Sequence, residues 1–132
     1  MSFTLVASEA VNDALLDGGL AHLINDGVDP AYAILYESTT ALVTMLFASP
    51  AVTLVNHELV FAQGNVGGDF ITSQGDADRF ELHTATGLLI GYGDVTDAAG
   101  SGTLKISGTT GTRLYAGARA ILDELKLSLT LT

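Results

Sequence analysis

At Ala31 the spacing of apolar residues changes from that of a helix to the two-residue alternation of strands. This change constrains the fold more than any other feature of the sequence. Beyond Ala31, apolar and polar side chains alternate in short runs, which is typical of strands with one buried face. Ser, Thr, Asn and Pro stand between the runs, and these residues favour turns. The first four runs predict strands at Tyr32–Glu37, Leu42–Ala48, Ala51–Val55 and Glu58–Gln63.

The residues before this change, 8–26, predict one helix. Ser8 can cap its N-terminus, and Gly27 and Pro30 can end it. Gly18-Gly19 forms a weak point, because each glycine costs about 1 kcal/mol relative to alanine. Apolar residues follow at helical spacing at Val11, Leu15, Leu16, Leu20, Leu23 and Ile24. The residues expected to pack against the sheet are Val11, Leu15, Leu20 and Leu23.

The segment 79–95, RFELHTATGLLIGYGDV, predicts a β-hairpin inside the sheet. Phe80 and Leu82 alternate with polar residues on the first strand, so we expect both in the core. Thr86-Gly87 separates the two strands, and glycine supplies the positive φ that a short turn requires.

The C-terminal third carries two conflicting patterns. Apolar residues in 114–122 recur at helical spacing, whereas the leucines in 124–131 alternate with polar residues and predict a strand. The residues alone favour a helix over the first of these segments. Shorter strands are predicted at Asp69–Ser73 and Thr103–Ser107.

Short strands at near-regular spacing, with turn residues between them, indicate a mainly-β fold. We expect a β-sandwich or jelly roll with one N-terminal helix, in a single domain over residues 1–132. A chain of this length supports one domain with a core of ordinary size.

The charge balance excludes some partners and favours others. Fifteen acidic residues against five basic ones give a net charge of −10, which repels nucleic acid and anionic membranes. Only 15% of the residues are charged and 48% are hydrophobic, which is typical of a subunit with neutral interfaces. No cysteine, signal peptide or membrane span is evident, so we expect synthesis in a reducing cytoplasm.

The residues that could carry chemistry form no recognised catalytic, metal or cofactor motif. Histidines 22, 57 and 83 lack the spacing of metal ligands, and we interpret each as a polar surface residue. Asp69, Asp76 and Asp78 have the residue type for Ca²⁺ but lack the further ligands of a known loop, which favours a solvated turn. Glu9, Asp13 and Asp17 are interpreted as a solvated helix face. We therefore expect no enzyme activity and no cofactor.

The order of the pieces along the chain is more specific than any one of them. These pieces are NDALLDGG, AILYES, ALVTMLFASPAV, RFELHTATGLLIGYGDV, GTLKISG and AGARAILDELKLSLT. The order resembles a family of small virion structural proteins of tailed bacteriophages and prophages, from about Ala10 to Leu131. Arg79–Leu82 stands at that family's aromatic-Arg strand, and Gly87 at its turn glycine. The resemblance implies a head or tail protein without catalytic residues, and it implies that Ala116–Leu122 is a strand.

The expected function is that of a capsid decoration or minor capsid protein, which stabilises the head through contacts with the major capsid protein or other virion subunits. The expected location is the capsid surface. We also expect the chain to form a homo-oligomer, for which a trimer is the favoured state. Strand segments at the chain ends, Phe3–Ala7 and Leu127–Thr132, are the expected donors to neighbouring subunits. The interface candidates are Phe3, Leu5, Leu127, Leu129 and Leu131.

Two other functions remain open. One is that of a phage tail or tail-tip protein, which would be present in a few copies. The other is a small ligand- or carbohydrate-binding β-sandwich, which requires a platform of aromatic side chains. The candidates for that platform are Tyr32, Tyr36, Tyr92 and Tyr115.

Overall fold

The computed structural model describes residues 8–26, 30–109 and 111–128. The N-terminal helix consists of α1 (Glu9–Ala14), a π-helical segment (Leu15–Leu20) and α2 (Ala21–Asn25). The hydroxyl of Ser8 accepts a hydrogen bond from the N–H of Val11 at 3.3 Å, so the predicted cap is confirmed. Gly18 and Gly19 lie in the π-helical segment, which is where the sequence predicted the weak point.

The helix buries a different face from the predicted one. Leu16 and Ile24 are fully buried, together with Ala21, while Leu20 is partly buried against the core. The prediction that the other three contact residues pack inward is wrong, and the exposed side chains are Val11, Leu15 and Leu23. The inward residues Leu16, Leu20 and Ile24 are spaced four apart, so the buried stripe is centred on them and leaves the other apolar residues at its margins.

The described residues form ten strands. They are β1 (Tyr32–Glu37), β2 (Thr40–Val55), β3 (Glu58–Gln63), β4 (Asp69–Phe70), β5 (Gly75–Asp76), β6 (Arg79–His83), β7 (Leu89–Asp97), β8 (Leu104–Ser107), β9 (Arg113–Leu114) and β10 (Arg119–Leu127). The two strands predicted on either side of Ser49-Pro50 are one long strand, β2. Both parts pair with β3, through Phe47 and then from Val52 onward, so the irregularity between them does not end the strand.

Seven of these strands form a closed sheet. Their order is β3-β2-β1-β6-β7-β8-β10, and β10 pairs with β3 to complete the ring. β4 adds to β10, while β5 and β9 form a separate two-stranded sheet. The prediction of a mainly-β fold with an N-terminal helix is confirmed. The finer architecture is one continuous sheet closed on itself, with the core inside the ring.

The helix covers the end of the ring at which β6 ends and β7 begins. The side-chain oxygen of Asn25 accepts a hydrogen bond from the N–H of Ala51 in β2 at 2.8 Å. The carbonyl of Ile24 accepts one from the N–H of Ala85, in the turn after β6, at 3.3 Å. These two contacts hold the buried helix face over the core.

The predicted hairpin is confirmed as the pair β6–β7. Phe80 and Leu82 are buried, and Gly87 has a φ of +91° in the connecting turn. The hydroxyl of the buried Thr84 accepts a hydrogen bond from the N–H of Leu88 at 3.1 Å, so the turn is also held by a side chain.

The C-terminal conflict is resolved in favour of a strand. β10 begins at Arg119, whereas Ala116–Ala118 form a turn, so the strand implied for Ala116–Leu122 is confirmed over its second half. A bulge between Leu122 and Glu124 inserts one residue into β10. The two inward leucines, 122 and 125, are therefore three positions apart, and this spacing imitates a helix in the sequence.

Candidate interaction surface

Three of the four tyrosines of the chain lie on one exterior face of the ring. Tyr32 and Tyr36 belong to β1, whose alternate residues Ala33 and Leu35 are buried. Tyr92 of β7 stands opposite Glu81, whose neighbours in β6 are buried. We call this surface the tyrosine face, and define it as the outward residues of β1 and β6 with Leu46 of β2 and Tyr92 of β7.

Glu81 lies at the centre of the tyrosine face and organises its polar groups. Its carboxylate accepts hydrogen bonds from the Arg79 guanidinium at 3.1 Å and from the Tyr36 hydroxyl at 3.3 Å. His83 Nε2 lies 3.5 Å from the same carboxylate, without the alignment of a hydrogen bond. The guanidinium of Arg79 also covers the ring of Tyr36, with 4.2 Å between its carbon and the ring centroid.

These contacts shift two ionisation equilibria in opposite directions. The hydrogen bond from Arg79 lowers the pKa of Glu81 below its ordinary value, although partial desolvation opposes the shift. Desolvation raises the pKa of Tyr36, and the negative charge of Glu81 raises it further. Glu81 is therefore ionised and Tyr36 neutral at physiological pH, so the network is a fixed arrangement of donors and acceptors.

The part of the tyrosine face around Tyr32 is aromatic and apolar. The rings of Tyr32 and His83 stack with centroids 4.9 Å apart and planes inclined by 9°. Beside Tyr32, an open groove of about 530 Å³ extends over Leu46 to the turn at Ala85–Gly87. The side chain of Tyr92 is 79% exposed, which is unusual for a residue of this size.

Such a composition is suited to binding a protein surface. Tyr and Arg are the residues that contribute most to interface free energy, and they do so best when their conformations are restricted beforehand. On this face, Tyr32 and Tyr36 are already held by neighbouring rings or charges. The arrangement offers stacking surfaces and hydrogen-bonding groups rather than a nucleophile beside a base.

The fourth tyrosine, Tyr115, lies on a different surface. It borders a cleft of about 280 Å³ with Arg113 and Arg119, and its ring centroid is 5.8 Å from the guanidinium carbon of Arg113. Arg113 also pairs with Asp76 at 3.4 Å. The structure thus brings together three of the four tyrosines that the sequence marked as platform candidates.

Asp69 differs from its sequence-based interpretation as part of a solvated turn. It is only 4% exposed, and its carboxylate accepts hydrogen bonds from the N–H of Leu46 at 3.2 Å and from the amides of Gln63 and Asn65, each at 2.6 Å. The three carboxylates of the suggested Ca²⁺ set do not converge, because Asp78 instead accepts from the N–H of Ser38. Within residues 8–26, 30–109 and 111–128, no group of three or more His, Asp and Glu side chains is suited to a metal ion.

His57 is exposed, as predicted, and it joins the turn after β2 to the helix. Its Nδ1 lies 2.9 Å from a carboxylate oxygen of Asp13, and its Nε2 lies 3.7 Å from Glu9. The hydrogen bond to Asp13 raises the pKa of His57 above its ordinary value, and the charge of that carboxylate adds to the shift. Asp13 is therefore a contact residue and not merely part of a solvated face.

Of the interface candidates named from the sequence, one lies within the described residues. Leu127 is partly buried at the end of β10, opposite Leu59 of β3. The others lie outside the described residues, and they are Phe3, Leu5, Leu129 and Leu131. The tyrosine face was not identified as a site from the sequence, although the alternation of Tyr32 and Tyr36 with buried residues was visible there.

Comparisons with family models, curated proteins and solved structures find no match to this chain. In the part of the chain that the structure describes, no helix has both the length and the apolar character needed to cross a lipid bilayer.

Proposed function

We propose that this chain is a structural subunit of a tailed-phage virion and that it attaches to neighbouring subunits through the tyrosine face. The observation that carries the proposal is the position of Tyr32, Tyr36 and Tyr92 on one exterior face, around the Glu81 network. The resemblance in the order of elements supports the virion assignment. Attachment then depends on burial and hydrogen bonding and requires no catalytic residue.

Within the virion, the proposed role is that of a capsid decoration or minor capsid protein. A net charge of −10 opposes a position next to packaged DNA and is compatible with the outside of the shell. The partner is the major capsid protein or another shell subunit. A tail or tail-tip protein is the alternative within the same class.

Copy number distinguishes these two locations. Particles purified from the bacterium that carries the gene can be separated by gel electrophoresis and quantified against the major shell subunit. A fixed, large fraction of that subunit supports decoration. A handful of copies per particle places the protein in the tail, and absence from purified particles refutes the virion assignment.

Matched variants test the surface itself. Tyr92→Ser and Leu46→Ser remove exposed apolar area from the tyrosine face, whereas Val66→Ser removes it from a loop elsewhere that is even more exposed. When each variant competes with the wild-type chain for incorporation, the first two are expected to be depleted and Val66→Ser retained. Equal incorporation of all three would show that another surface attaches the protein.

A second candidate function is carbohydrate or small-ligand binding, which is favoured by the groove beside Tyr32. This groove is bordered by an aromatic ring that His83 already holds in place. Titration of the isolated protein with a glycan library, read by protein NMR, tests the candidate. Shifts confined to the groove in the wild type, and lost in Tyr32→Ala, would favour this function over virion attachment.

A further inference from the structure

The ring of strands has a gap on one side of β7. Antiparallel pairing with β6 covers one edge of β7, from Leu89 to Asp94. The other edge pairs with β8 only from Val95 to Asp97, because β8 begins at Leu104. Within the described residues, the first part of β7 therefore has one edge without a strand partner.

A slot of about 240 Å³ lies along this edge. Ile90 and Gly91 of β7 border it, as do Leu127 at the end of β10 and Ser128 directly after that strand, and Leu20 and Phe80 line it as well. All the side chains around the slot are uncharged. An N-terminal extension of β8 would run through this space. The slot therefore lies where one further strand could pair with β7.

Gly91 keeps the inside of the slot open. It stands opposite the buried Leu82, so its missing side chain would point to the inner face. A Cβ placed there meets no atom within 4 Å, whereas at Gly93 it would meet the ring of Phe80 at 2.9 Å. The chain's own described side chains therefore fill the space beside Gly93 but not beside Gly91.

We propose that this slot accepts the segment Phe3–Ala7 of a second copy of the chain as an added β-strand. Ile90 forms a bulge between Leu89 and Gly91, because neighbouring residues of β6 pair with those two and leave Ile90 out. Beyond this bulge, backbone N–H and C=O groups of Gly91–Gly93 on the edge away from β6 face the slot and can pair with an extended segment. Such an unprotected edge is normally blocked by charge, proline or a covering element.

The chemistry of the donor segment matches the slot. Residues 3–7 read FTLVA and alternate by side-chain size, with no charge and no proline. An apolar cavity of roughly 150 Å³ accommodates benzene, so the slot has room for the side chain of Phe3 or Leu5. The low charged fraction of the chain, 15%, is typical of a subunit that self-associates. The proposed contact would place this association at the slot beside β7.

This contact joins two copies of the chain, whereas the tyrosine face is proposed to bind other subunits, and the two surfaces meet at Tyr92. The contact is tested in solution by sedimentation velocity on the purified full chain over a range of concentrations. Gly91→Val blocks the acceptor, and Leu5→Ser with Phe3→Ser disables the donor. Gly67→Val is the control, because that glycine also has open space and no positive φ.

The expected result is a concentration-dependent oligomer for the wild type and for Gly67→Val. Association should be weaker by roughly a hundredfold or more in both variants, because Gly91→Val fills the space of the incoming strand and the donor variant loses its apolar side chains. An equimolar mixture of these two variants should form a species of twice the chain mass, because one retains a donor and the other an acceptor. That recovery shows that the donor variant, which supplies the acceptor edge, is folded, and circular dichroism checks the fold of Gly91→Val.

Three results would overturn the proposal. The first is a wild-type chain that stays monomeric, and the second is a Gly91→Val chain that associates like the wild type. The third is a variant mixture that remains monomeric. A synthetic peptide of residues 2–8 provides a separate measurement, because it should dissociate the wild-type oligomer. Alternate peptide bonds can be N-methylated in two ways, and only the set whose N–H groups pair with β7 should abolish the effect. Equal potency of all the peptides would exclude backbone pairing.

Discussion

Asp69 offers the sharpest test of how the loop after β3 is held. We expect Asp69→Ala to destabilise the protein, because the carboxylate is the common acceptor for Leu46, Gln63 and Asn65. Asn65 is exposed, so water can replace its lost partner. The N–H of Leu46 and one amide hydrogen of Gln63 would be left without an acceptor in a partly buried place.

The size of the effect follows from these two donors. A fully buried donor without a partner costs about 1–3 kcal/mol. Because these two donors are only partly buried, we expect the free energy of unfolding to fall by about 2–4 kcal/mol. For a domain of this size, 1 kcal/mol corresponds to roughly 2–5 °C in Tm. At roughly 3.5 °C per kcal/mol, calorimetry at pH 7 should therefore show a decrease in Tm of about 7–14 °C.

Two further variants make the test specific. Asp69→Asn should lose less stability than Asp69→Ala, because the oxygen of the new amide can still accept from Leu46 and Gln63. The side-chain amide of Asn65 can rotate by about 180° so that its oxygen accepts from the new NH₂ group. Asp123→Ala removes an exposed carboxylate of β10 and should change stability by less than about 0.5 kcal/mol. If Asp69→Ala behaved like Asp123→Ala, or no worse than Asp69→Asn, the account of Asp69 as a shared acceptor would be refuted.

Three other predictions concern the helix, the hairpin turn and the contact of His57. Leu16→Ala should lower the free energy of unfolding by about 2–5 kcal/mol, whereas the neighbouring Leu15→Ala should have a much smaller effect since Leu15 is 42% exposed; equal losses in chemical denaturation would contradict the described helix face. Gly87→Val should destabilise by about 1–3 kcal/mol because φ is +91° there, and a Tm equal to that of Gly67→Val would argue against this turn. The pKa of His57 is raised in the folded state by Asp13, so its stabilising contribution is complete below the unfolded pKa of about 6.5 and is lost as the pH rises through the folded pKa. His57→Gln should therefore lower Tm at pH 6 and have little effect at pH 9, and a difference that did not depend on pH would exclude the ion pair.

The ends of several elements could be predicted because their causes are local. β1 and β3 begin and end where the sequence predicted, since period-two alternation stops at turn residues on both sides. The cap at Ser8 and the positive φ at Gly87 likewise depend on a few neighbouring residues. The spacing of Leu122 and Leu125, by contrast, misleads a local interpretation, because a bulge in β10 inserts one residue between them.

The candidate site could be predicted only in part. The sequence identified Tyr32, Tyr36 and Tyr92 as aromatic candidates, but it offered no reason to place them together or to separate Tyr115 from them. Their proximity depends on the strand order β2-β1-β6-β7, in which β1 pairs with a strand more than forty residues later. The buried position of Asp69 has the same origin, because its acceptor role depends on where Leu46 arrives.

The sequence by itself determined that this protein is mainly β, begins with a capped helix and carries a strongly acidic charge. These properties follow from composition and from patterns within a few residues. Only the tertiary structure decided which helix face is buried, that the sheet closes through β3 and β10, and that a slot remains beside Gly91. The physical reason is that strand pairing and core packing depend on free energies of contact between distant segments, which no local pattern of side chains specifies.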